Sequence, residues 1–297
     1  MELEDRCSRS LVEGLNESGR FLGEVHRKEW PTALAVKGPL PSELSNVLLV
    51  ESPPESWESL LFEAHEFFRP GTPWRMMVRR PAVDLVRSVA DQSHLRYAGE
   101  APGMLMHPIP PSPPSPPSLR VEAVLDDRRR IDWLRAIARS FGIPMFVLRH
   151  LFPVVPSLED EPPIGGFVGY DTTGTPVASS AFVVLRGVVN VYMVGTVPKA
   201  RRKGFGAALT WAALARGRSA GADVGALNAT EMGRPVYDRM GFRVFEPYPQ
   251  WEPVLSRTAR WRARASILAL AFRRPHVYVG SPPGRGGTAP EPSNTLR

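Results

Sequence analysis

The sequence predicts a mixed α/β fold in which a mostly antiparallel sheet is flanked by helices, preceded by an N-terminal α/β subdomain. Three observations predict it. Segments with helical spacing alternate with short apolar runs, three apolar runs in the second half are joined by tight turns, and a proline-rich segment divides the chain. With 297 residues, 43% of them hydrophobic, the chain is long enough for two units of ordinary size.

The proline-rich segment at residues 108–117 marks the main boundary. Proline has no amide hydrogen, so this segment can neither pair in a sheet nor continue a helix. We expect an extended polyproline II spacer, although such a segment could also dock an SH3-like domain. The expected divisions are an N-terminal α/β domain at 1–108, a linker at 109–118, a second domain at 119–255, and a basic segment with a disordered tail at 256–297.

Before the linker, apolar runs and helical spacing predict four strands and two helices. The strands are 32–36, 46–50, 74–78 and 103–107, and the helices are 57–68 and 82–91. This unit carries no phosphate-binding loop and no evident catalytic group.

After the linker the pattern predicts six strands and four helices. The strands are 119–125, 166–170, 177–185, 188–197, 224–227 and 242–245, and the helices are 127–141, 145–152, 204–216 and 233–240. Tight glycine-containing turns join the second, third and fourth of these strands. We therefore expect an antiparallel meander at the centre of this domain.

Composition excludes several classes of site and partner. The net charge is +7, but no zinc-finger, RNP or helix-turn-helix signature accompanies it, so we expect no nucleic-acid partner. The start is acidic and no apolar run approaches the roughly 20 residues that span a bilayer, which favours a cytoplasmic protein with no membrane partner. The single cysteine, Cys7, excludes an intramolecular disulfide, and we expect an incidental surface thiol. Six scattered histidines lack ligand spacing, so no metal is assigned.

The most informative stretch is 194–209, where a strand ends, a basic loop follows, and a helix begins at Gly204 and Gly206. Glycine lets the backbone approach a ligand closely, and the first amides of a helix have no intrahelical acceptor. Together with the helix dipole, these features predict a diphosphate site. A tight turn with a solvated basic flank is the alternative. Positive charge at the rim comes from Arg201, Arg202 and Lys203.

The spacing Arg201-x-x-Gly204-x-Gly206 resembles the Arg/Gln-x-x-Gly-x-Gly/Ala signature of the GNAT superfamily of acetyltransferases. In that family the signature follows the fourth strand of the domain and opens its third helix, which is its predicted place here. The resemblance extends over residues 119–250. It implies a GNAT-type fold with acetyl-CoA as co-substrate.

A second resemblance lies downstream. GNAT chains commonly show an asparagine followed by a helix that ends in Tyr-x-x-x-Gly-Phe, and here Asn228 precedes Tyr237-x-x-x-Gly241-Phe242. The resemblance implies that Asn228 contacts the cofactor near its sulfur. It also implies that Tyr237 protonates the departing CoA thiolate, a role that suits a phenol of pKa about 10. A core aromatic at the end of a helix is the alternative for Tyr237.

In GNAT enzymes the fourth strand bulges and splays from the fifth, which opens a V for the pantetheine arm. The resemblance places the backbone of four residues along this arm: Val194, Gly195, Thr196 and Val197. It assigns Val197 a catalytic role, because its amide would stabilise the charge gathering on the thioester oxygen. The pyrophosphate would lie against Arg202, Lys203, Gly204, Phe205 and Gly206.

The general base is the weak part of the resemblance. Many GNAT enzymes carry a carboxylate on the fourth strand, whereas this strand offers Asn190, Tyr192, Met193 and Thr196, none of them a good base. Other candidates, each also explained as a surface charge, are Glu231, Asp171 and Glu159.

The expected function is transfer of acetyl from acetyl-CoA to a primary amine by direct attack in a ternary complex. No cysteine lies near the motif, which disfavours a cysteine-linked acyl-enzyme. A catalytically silent CoA-binding or regulatory protein and a nucleic-acid-associated protein are the alternatives. The acceptor, a small-molecule or peptide amine, cannot be read from the sequence, and a homodimer is left open.

Two regions depart from the family. The N-terminal unit has the element order of a degenerate GNAT-like half that lacks the phosphate loop. After Trp251 the expected seventh strand is not evident. A basic segment at 261–274 follows instead, which predicts a short helix packed on the core or, as an alternative, a helix on a membrane surface. Residues 281–297, rich in Gly, Pro and Ser, are expected to be disordered.

Overall fold

The computed structural model describes residues 2–22, 25–38, 40–43, 45–90, 92–152 and 163–272, without the side chains of 15–22 and 272. Glu159 and the tail at 281–297 lie outside the described residues. Within them the chain builds a six-stranded and a seven-stranded mixed sheet flanked by helices. The predicted α/β class is therefore confirmed.

The predicted elements appear in the predicted order, with additions at both ends and an unpredicted strand at Leu95–Glu100. The α-helices are α1 Leu3–Leu22, α2 Trp57–Phe68, α3 Arg80–Ala90, α4 Asp127–Phe141, α5 Met145–Leu151, α6 Phe205–Ser219, α7 Arg234–Met240 and α8 Arg257–Ala269. The strands are β1 His26–Trp30, β2 Ala33–Lys37, β3 Asn46–Val50, β4 Arg75–Val78, β5 Leu95–Glu100, β6 Gly103–Met106, β7 Arg120–Ala123, β8 Ile164–Tyr170, β9 Pro176–Leu185, β10 Val188–Thr196, β11 Val224–Asn228, β12 Arg243–Glu246 and β13 Pro249–Pro253. None of the helices in the described part of the chain is long and apolar enough to cross a bilayer.

Helix α4 has the predicted bounds because both ends carry local stop signals. The Asp126 side chain accepts a hydrogen bond from the Arg129 amide at 2.7 Å, which caps the first turn. At the other end Gly142 adopts φ 70, the left-handed conformation that closes a helix without a Cβ clash. Trp133 and Ile137 are buried on the inner face, so helical spacing was a correct guide here.

The seven-stranded sheet has the order β12-β6-β11-β10-β9-β8-β7. Strands β8, β9 and β10 pair antiparallel in sequence order, which confirms the predicted meander. Helices cover both faces of this sheet, as the alternate residues of β10 show by packing into two different hydrophobic clusters. Val188 packs with α1 residues, while Val189 packs with the α6 residues Ala213 and Leu214.

The two sheets exchange a strand, which corrects the expectation that the second domain lacks its seventh strand. Strand β6 lies before the proline-rich segment, yet it sits between β11 and β12 of the larger sheet. In return, β13 inserts between β4 and β5 of the six-stranded sheet, whose order is β1-β2-β3-β4-β13-β5. Trp251 is consequently buried in the core of the smaller sheet. The two halves are thus interlocked across the expected boundary at residue 108.

Helix α1 was not predicted, and it packs between the two sheets, in a cluster that holds residues of β2 and β3 as well as of β10 and β11. Cys7 is fully buried there among apolar residues, so the expectation of a surface thiol was wrong. Burial raises the pKa of the Cys7 thiol to about 12, which keeps it protonated and unreactive at neutral pH. Glu13 on the same helix accepts hydrogen bonds from Arg186, which ties α1 to the turn between β9 and β10.

Candidate functional site

A gap opens between β10 and β11, two central strands of the larger sheet, toward their C-terminal ends. The two strands pair only at 188–190 with 224–226, although β10 continues to Thr196. A bulge lies between Tyr192 and Gly195 in the pairing with β9, and Met193 in the bulge adopts φ 50. Bulges bend a strand and increase its twist, so the end of β10 turns away from β11. This geometry is the splayed pair that the resemblance implied.

The direction of the backbone amides along β10 corrects one expected role. The Val197 amide donates to the Val177 carbonyl at 2.9 Å, so it is already engaged and is not available to an oxyanion. The catalytic assignment of Val197 was therefore wrong in this geometry. Amides alternate along an antiparallel pair, which turns the Thr196 amide away from β9 and toward the gap.

The loop after β10 brings the glycine-marked helix start to the same end of the sheet. A 3-10 turn at Pro198–Ala200 is followed by two left-handed residues, Arg202 at φ 63 and Gly204 at φ 77. Gly204 is the N-cap of α6, and no side chain caps the first turn. The first amides of α6, beginning with Phe205 and Gly206, therefore have no capping acceptor, and they form the donor cradle.

The three basic residues of the loop have two different roles: one bonds to neighbouring carbonyls, and two lie exposed at the rim of the cradle. The Arg201 guanidinium donates to the Thr196 carbonyl at 3.1 Å and to the Ser140 carbonyl at 3.5 Å. It thereby joins the end of β10 to the last turn of α4 rather than pointing into the cradle. Arg202 and Lys203 are exposed beside Gly204 and remain in place to attract an anion.

Gly195 marks a close approach of α4 to the bulged strand. A Cβ placed on Gly195 would lie 2.7 Å from Phe141 Cε2 and 2.8 Å from Ser140 Cβ. By contrast, a Cβ on Gly206 would lie 3.5 Å from Thr196 Oγ1, which is ordinary contact. Gly195 is thus required by packing on the α4 face of the gap.

Tyr237 lies beneath the gap and is buried. It packs in one cluster with Val191 of β10 and Leu227 of β11, the two arms of the V. Burial raises the pKa of Tyr237 to about 12, and a hydrogen bond with Thr210 works in the opposite direction. Thr210 in turn donates to the Gly206 carbonyl at 3.0 Å, which links the phenol to the first turn of α6. Thr210 was missed in the sequence, although its i+4 spacing from Gly206 could have indicated it.

Asn228 ends β11 on the opposite side of the gap from Thr196. Its backbone pairs with Gly103 of the exchanged strand, and its side-chain Nδ2 donates to the Ala101 carbonyl at 3.1 Å. The exchanged strand therefore fixes this side of the site. The sequence could not indicate that residues 101–103 contribute here, because they precede the linker.

Two polar residues of β10 are not at the site. Asn190 is buried and donates through Nδ2 to Ser10 Oγ at 2.6 Å. The Tyr192 hydroxyl donates to the Leu11 carbonyl at 2.7 Å, and burial raises its pKa. Both side chains hold α1 on the sheet, and neither can reach a substrate.

The carboxylate candidates fare differently. Asp171 accepts from the Thr173 hydroxyl and amide and from the Thr175 amide, and the hydrogen bond from the Thr173 side chain is the main cause of its lowered pKa. A carboxylate with a lowered pKa is a weaker base, so the role of Asp171 is to stabilise the turn between β8 and β9. Glu231 is exposed, three residues after Asn228. Glu159 lies outside the described residues.

The corresponding corner of the smaller sheet is closed. Strands β3 and β4 pair in parallel to their last residues, Val50 with Val78, so no gap opens between them. The next helix is capped by Ser56, whose hydroxyl accepts from the Ser59 amide at 3.2 Å. This corner therefore offers neither a splayed strand pair nor an uncapped helix start. No group of three or more His, Cys, Asp or Glu residues within the described parts of the chain is arranged to hold a metal.

Comparison with known proteins agrees with this geometry. The acetyltransferase (GNAT) family model matches residues 131–242. A GCN5-related N-acetyltransferase from Kribbella flavida, 16% identical, has a TM-score of 0.65 over 88% of this chain and 99% of that one. A second one, from Sphaerobacter thermophilus, is 14% identical with a TM-score of 0.55 over 84% of this chain and 94% of its own.

A tandem GNAT protein from the clavulanic acid biosynthesis pathway also shares the fold, at 12% identity and a TM-score of 0.52 over 84% of this chain and 92% of that chain. No curated protein sequence matches this chain significantly. At these identities the structural likeness defines the fold alone. The chain therefore carries a domain of the GNAT acetyltransferase family at residues 131–242, within a two-sheet fold shared with GCN5-related N-acetyltransferases.

Proposed function

We propose that this protein is an N-acetyltransferase that moves acetyl from acetyl-CoA to a primary amine by direct attack in a ternary complex. One observation carries the proposal. A strand gap with an amide directed into it and an uncapped helix start lie at the same end of one sheet. This combination suits a ligand with a diphosphate at one end and an extended amide-containing arm at the other.

The residues present fit the donor. The cradle at Gly204, Phe205 and Gly206 offers free amides and a helix dipole to a diphosphate, with Arg202 and Lys203 supplying formal charge. The gap leaves the inner edge of β10 open to pair with an extended arm. A thioester bound there supplies an acyl carbon that an amine nitrogen can attack, with loss of the carbon–sulfur bond.

Two groups would then act on the reacting atoms. The Thr196 amide, held by its strand and by the Arg201 bond to the adjacent carbonyl, is placed to donate to the carbonyl oxygen as charge develops. Tyr237 is protonated at neutral pH, and we assign it the donation of that proton to the departing sulfur. Burial raises its pKa to about 12, which makes it a weaker acid than a free phenol, and the hydrogen bond with Thr210 acts against this rise. The amine must lose its own proton, and the exposed carboxylate of Glu231, three residues after Asn228, is the base that we propose.

The proposal is tested with acetyl-CoA and a panel of primary amines, comparing the wild type with Tyr237→Phe. We expect turnover with at least one class of amine. The variant should bind CoA as tightly as the wild type while kcat falls about 10²-fold or more, since a positioned general acid contributes that much. Tyr192→Phe is the matched control, because it removes one buried phenol whose hydroxyl bonds only to α1, and it should keep its turnover.

Unchanged turnover in Tyr237→Phe would remove this residue from the mechanism. A catalytically silent CoA-binding protein is the second candidate, favoured by the commitment of Asn190 and Tyr192 to α1 and by the weak base at Asp171. Saturable CoA binding with no acetyl transfer to any amine would favour that candidate.

A further inference from the structure

The proline-rich segment is attached to helix α6 along its length rather than spanning open solvent. We define the proline strap as residues 109–119. At its first end Ile109 is buried, and its amide donates to the Asp223 carbonyl at 3.1 Å, just beyond the C-terminal end of α6. In the middle, the Ser112 hydroxyl donates to the carbonyl of Trp211 at 3.3 Å.

The other end of the proline strap reaches the donor cradle. Pro116 lies beside Gly204, because a Cβ on that glycine would meet Pro116 Cγ at 3.6 Å. The Leu119 amide donates to the Pro116 carbonyl at 2.9 Å, and the Leu119 side chain is buried with Phe205 and Leu209. The strap is therefore fixed on both sides of Pro116, the residue that lies beside the N-cap.

The lengths of the two elements match. Seven residue steps from Ile109 to Pro116 span about 22 Å at the polyproline II rise of about 3.1 Å. Helix α6 has 15 residues, which gives about 22 Å at a rise of about 1.5 Å per residue. A segment of this composition is stiff, so it can act as a strut that runs antiparallel to the helix.

We propose that the proline strap is a positioning element of the donor site, which pins the start of α6 through Pro116 and so holds the diphosphate-binding amides in place. The cradle needs such a support because no side chain caps α6 and two consecutive turns of the loop depend on left-handed residues, Arg202 and Gly204. Free helix ends fray, and fraying would disperse the amides that a diphosphate needs. The proposal rests on the proposed function.

The test compares Pro116→Gly with Pro111→Gly. Each variant replaces one proline of the strap and leaves the Ile109 and Leu119 anchors intact, but Pro111 is exposed and lies toward the far end of α6. Calorimetry with CoA and with pantetheine, which has no phosphate, separates the cradle from the strand gap. We expect Pro116→Gly to weaken CoA binding about two- to fivefold, the scale of releasing one proline.

Pantetheine binding should not change in either variant, and Pro111→Gly should bind both ligands as the wild type does. In turnover, Pro116→Gly should raise the KM for acetyl-CoA with kcat unchanged. Equal losses of CoA affinity in the two variants, or an equal loss of pantetheine affinity in Pro116→Gly, would overturn the proposal.

Hydrogen exchange of the ligand-free protein gives a second readout that does not depend on CoA. The first hydrogen-bonded amides of α6, beginning with Ala208, whose amide donates to the Gly204 carbonyl at 3.0 Å, should exchange faster in Pro116→Gly than in Pro111→Gly. Identical exchange would overturn the positioning role. A wild type that binds neither CoA nor pantetheine would instead refute the proposed function, while the exchange comparison still decides whether the proline strap fixes the helix start.

Discussion

The two glycines of the helix start make different physical demands, which gives opposite predictions for the same substitution. Gly204 adopts φ 77, whereas Gly206 lies within α6 with no positive φ. An alanine in the left-handed region costs about 1–2 kcal/mol. An alanine in the body of a helix is favoured over glycine by up to about 1 kcal/mol.

Sterics do not alter this contrast. A Cβ at Gly204 meets Pro116 Cγ at 3.6 Å, and one at Gly206 meets Thr196 Oγ1 at 3.5 Å, both ordinary contacts. Gly204→Ala should therefore lower the free energy of unfolding by about 1–2 kcal/mol through backbone strain alone. Gly206→Ala should leave the free energy of unfolding unchanged or raise it by up to about 1 kcal/mol.

The assay is urea unfolding at fixed pH, followed by CoA titration of both variants. Gly204→Ala should also weaken CoA binding, because the strain is relieved by moving the first amides of α6. Gly206→Ala should bind CoA within about twofold of the wild type, consistent with tolerance of alanine at this position in the signature. Equal destabilisation by the two substitutions would refute the assignment of backbone strain to Gly204.

Two further predictions concern packing and charge around the site. Gly195→Ala places a Cβ 2.8 Å from the Ser140 Cβ of α4. We expect this overpacking to lower the free energy of unfolding, measured by urea unfolding, by about 1–3 kcal/mol; no loss would show that α4 moves freely. Burial works to raise the pKa of Glu13, but bonds from Arg186 and the charges of Arg186 and Arg27 outweigh it and lower that pKa below 4.5. The ionised Glu13 carboxylate therefore stabilises the fold fully at pH values above its pKa in the unfolded chain. This stabilisation is lost as the pH falls through its lower pKa in the folded protein. Glu13→Gln should cost about 1–2 kcal/mol at pH 7 and flatten the fall in stability below pH 4.5, and an acid-unfolding profile parallel to the wild type would contradict this.

Local sequence signals predicted the elements whose ends are decided by neighbouring residues. Helix α4 begins at the Asp126 cap and ends at Gly142, and the meander follows from turns at Gly174 and Gly187, both at positive φ. The helix start at Gly204 was likewise predicted from glycine spacing. In each case the deciding interaction lies within a few residues of the chain.

The missed features all depend on contacts between distant segments. The exchanged strand β6 is a short apolar run and β13 is a short segment of mixed polarity, and nothing local tells which sheet either strand joins. The engagement of the Val197 amide depends on its register with Val177, and the burial of Cys7 depends on where α1 packs. The proline strap was expected as a spacer because its anchors, such as Trp211, lie far along the chain.

The central claim is that one uncapped helix start, at Gly204, binds the diphosphate of the donor. The most direct measurement is calorimetric titration of the full-length protein with CoA. We predict saturable binding of one CoA per chain, since the corner beside Val50 and Val78 is closed. The absence of binding at millimolar CoA, or a stoichiometry of two, would contradict it.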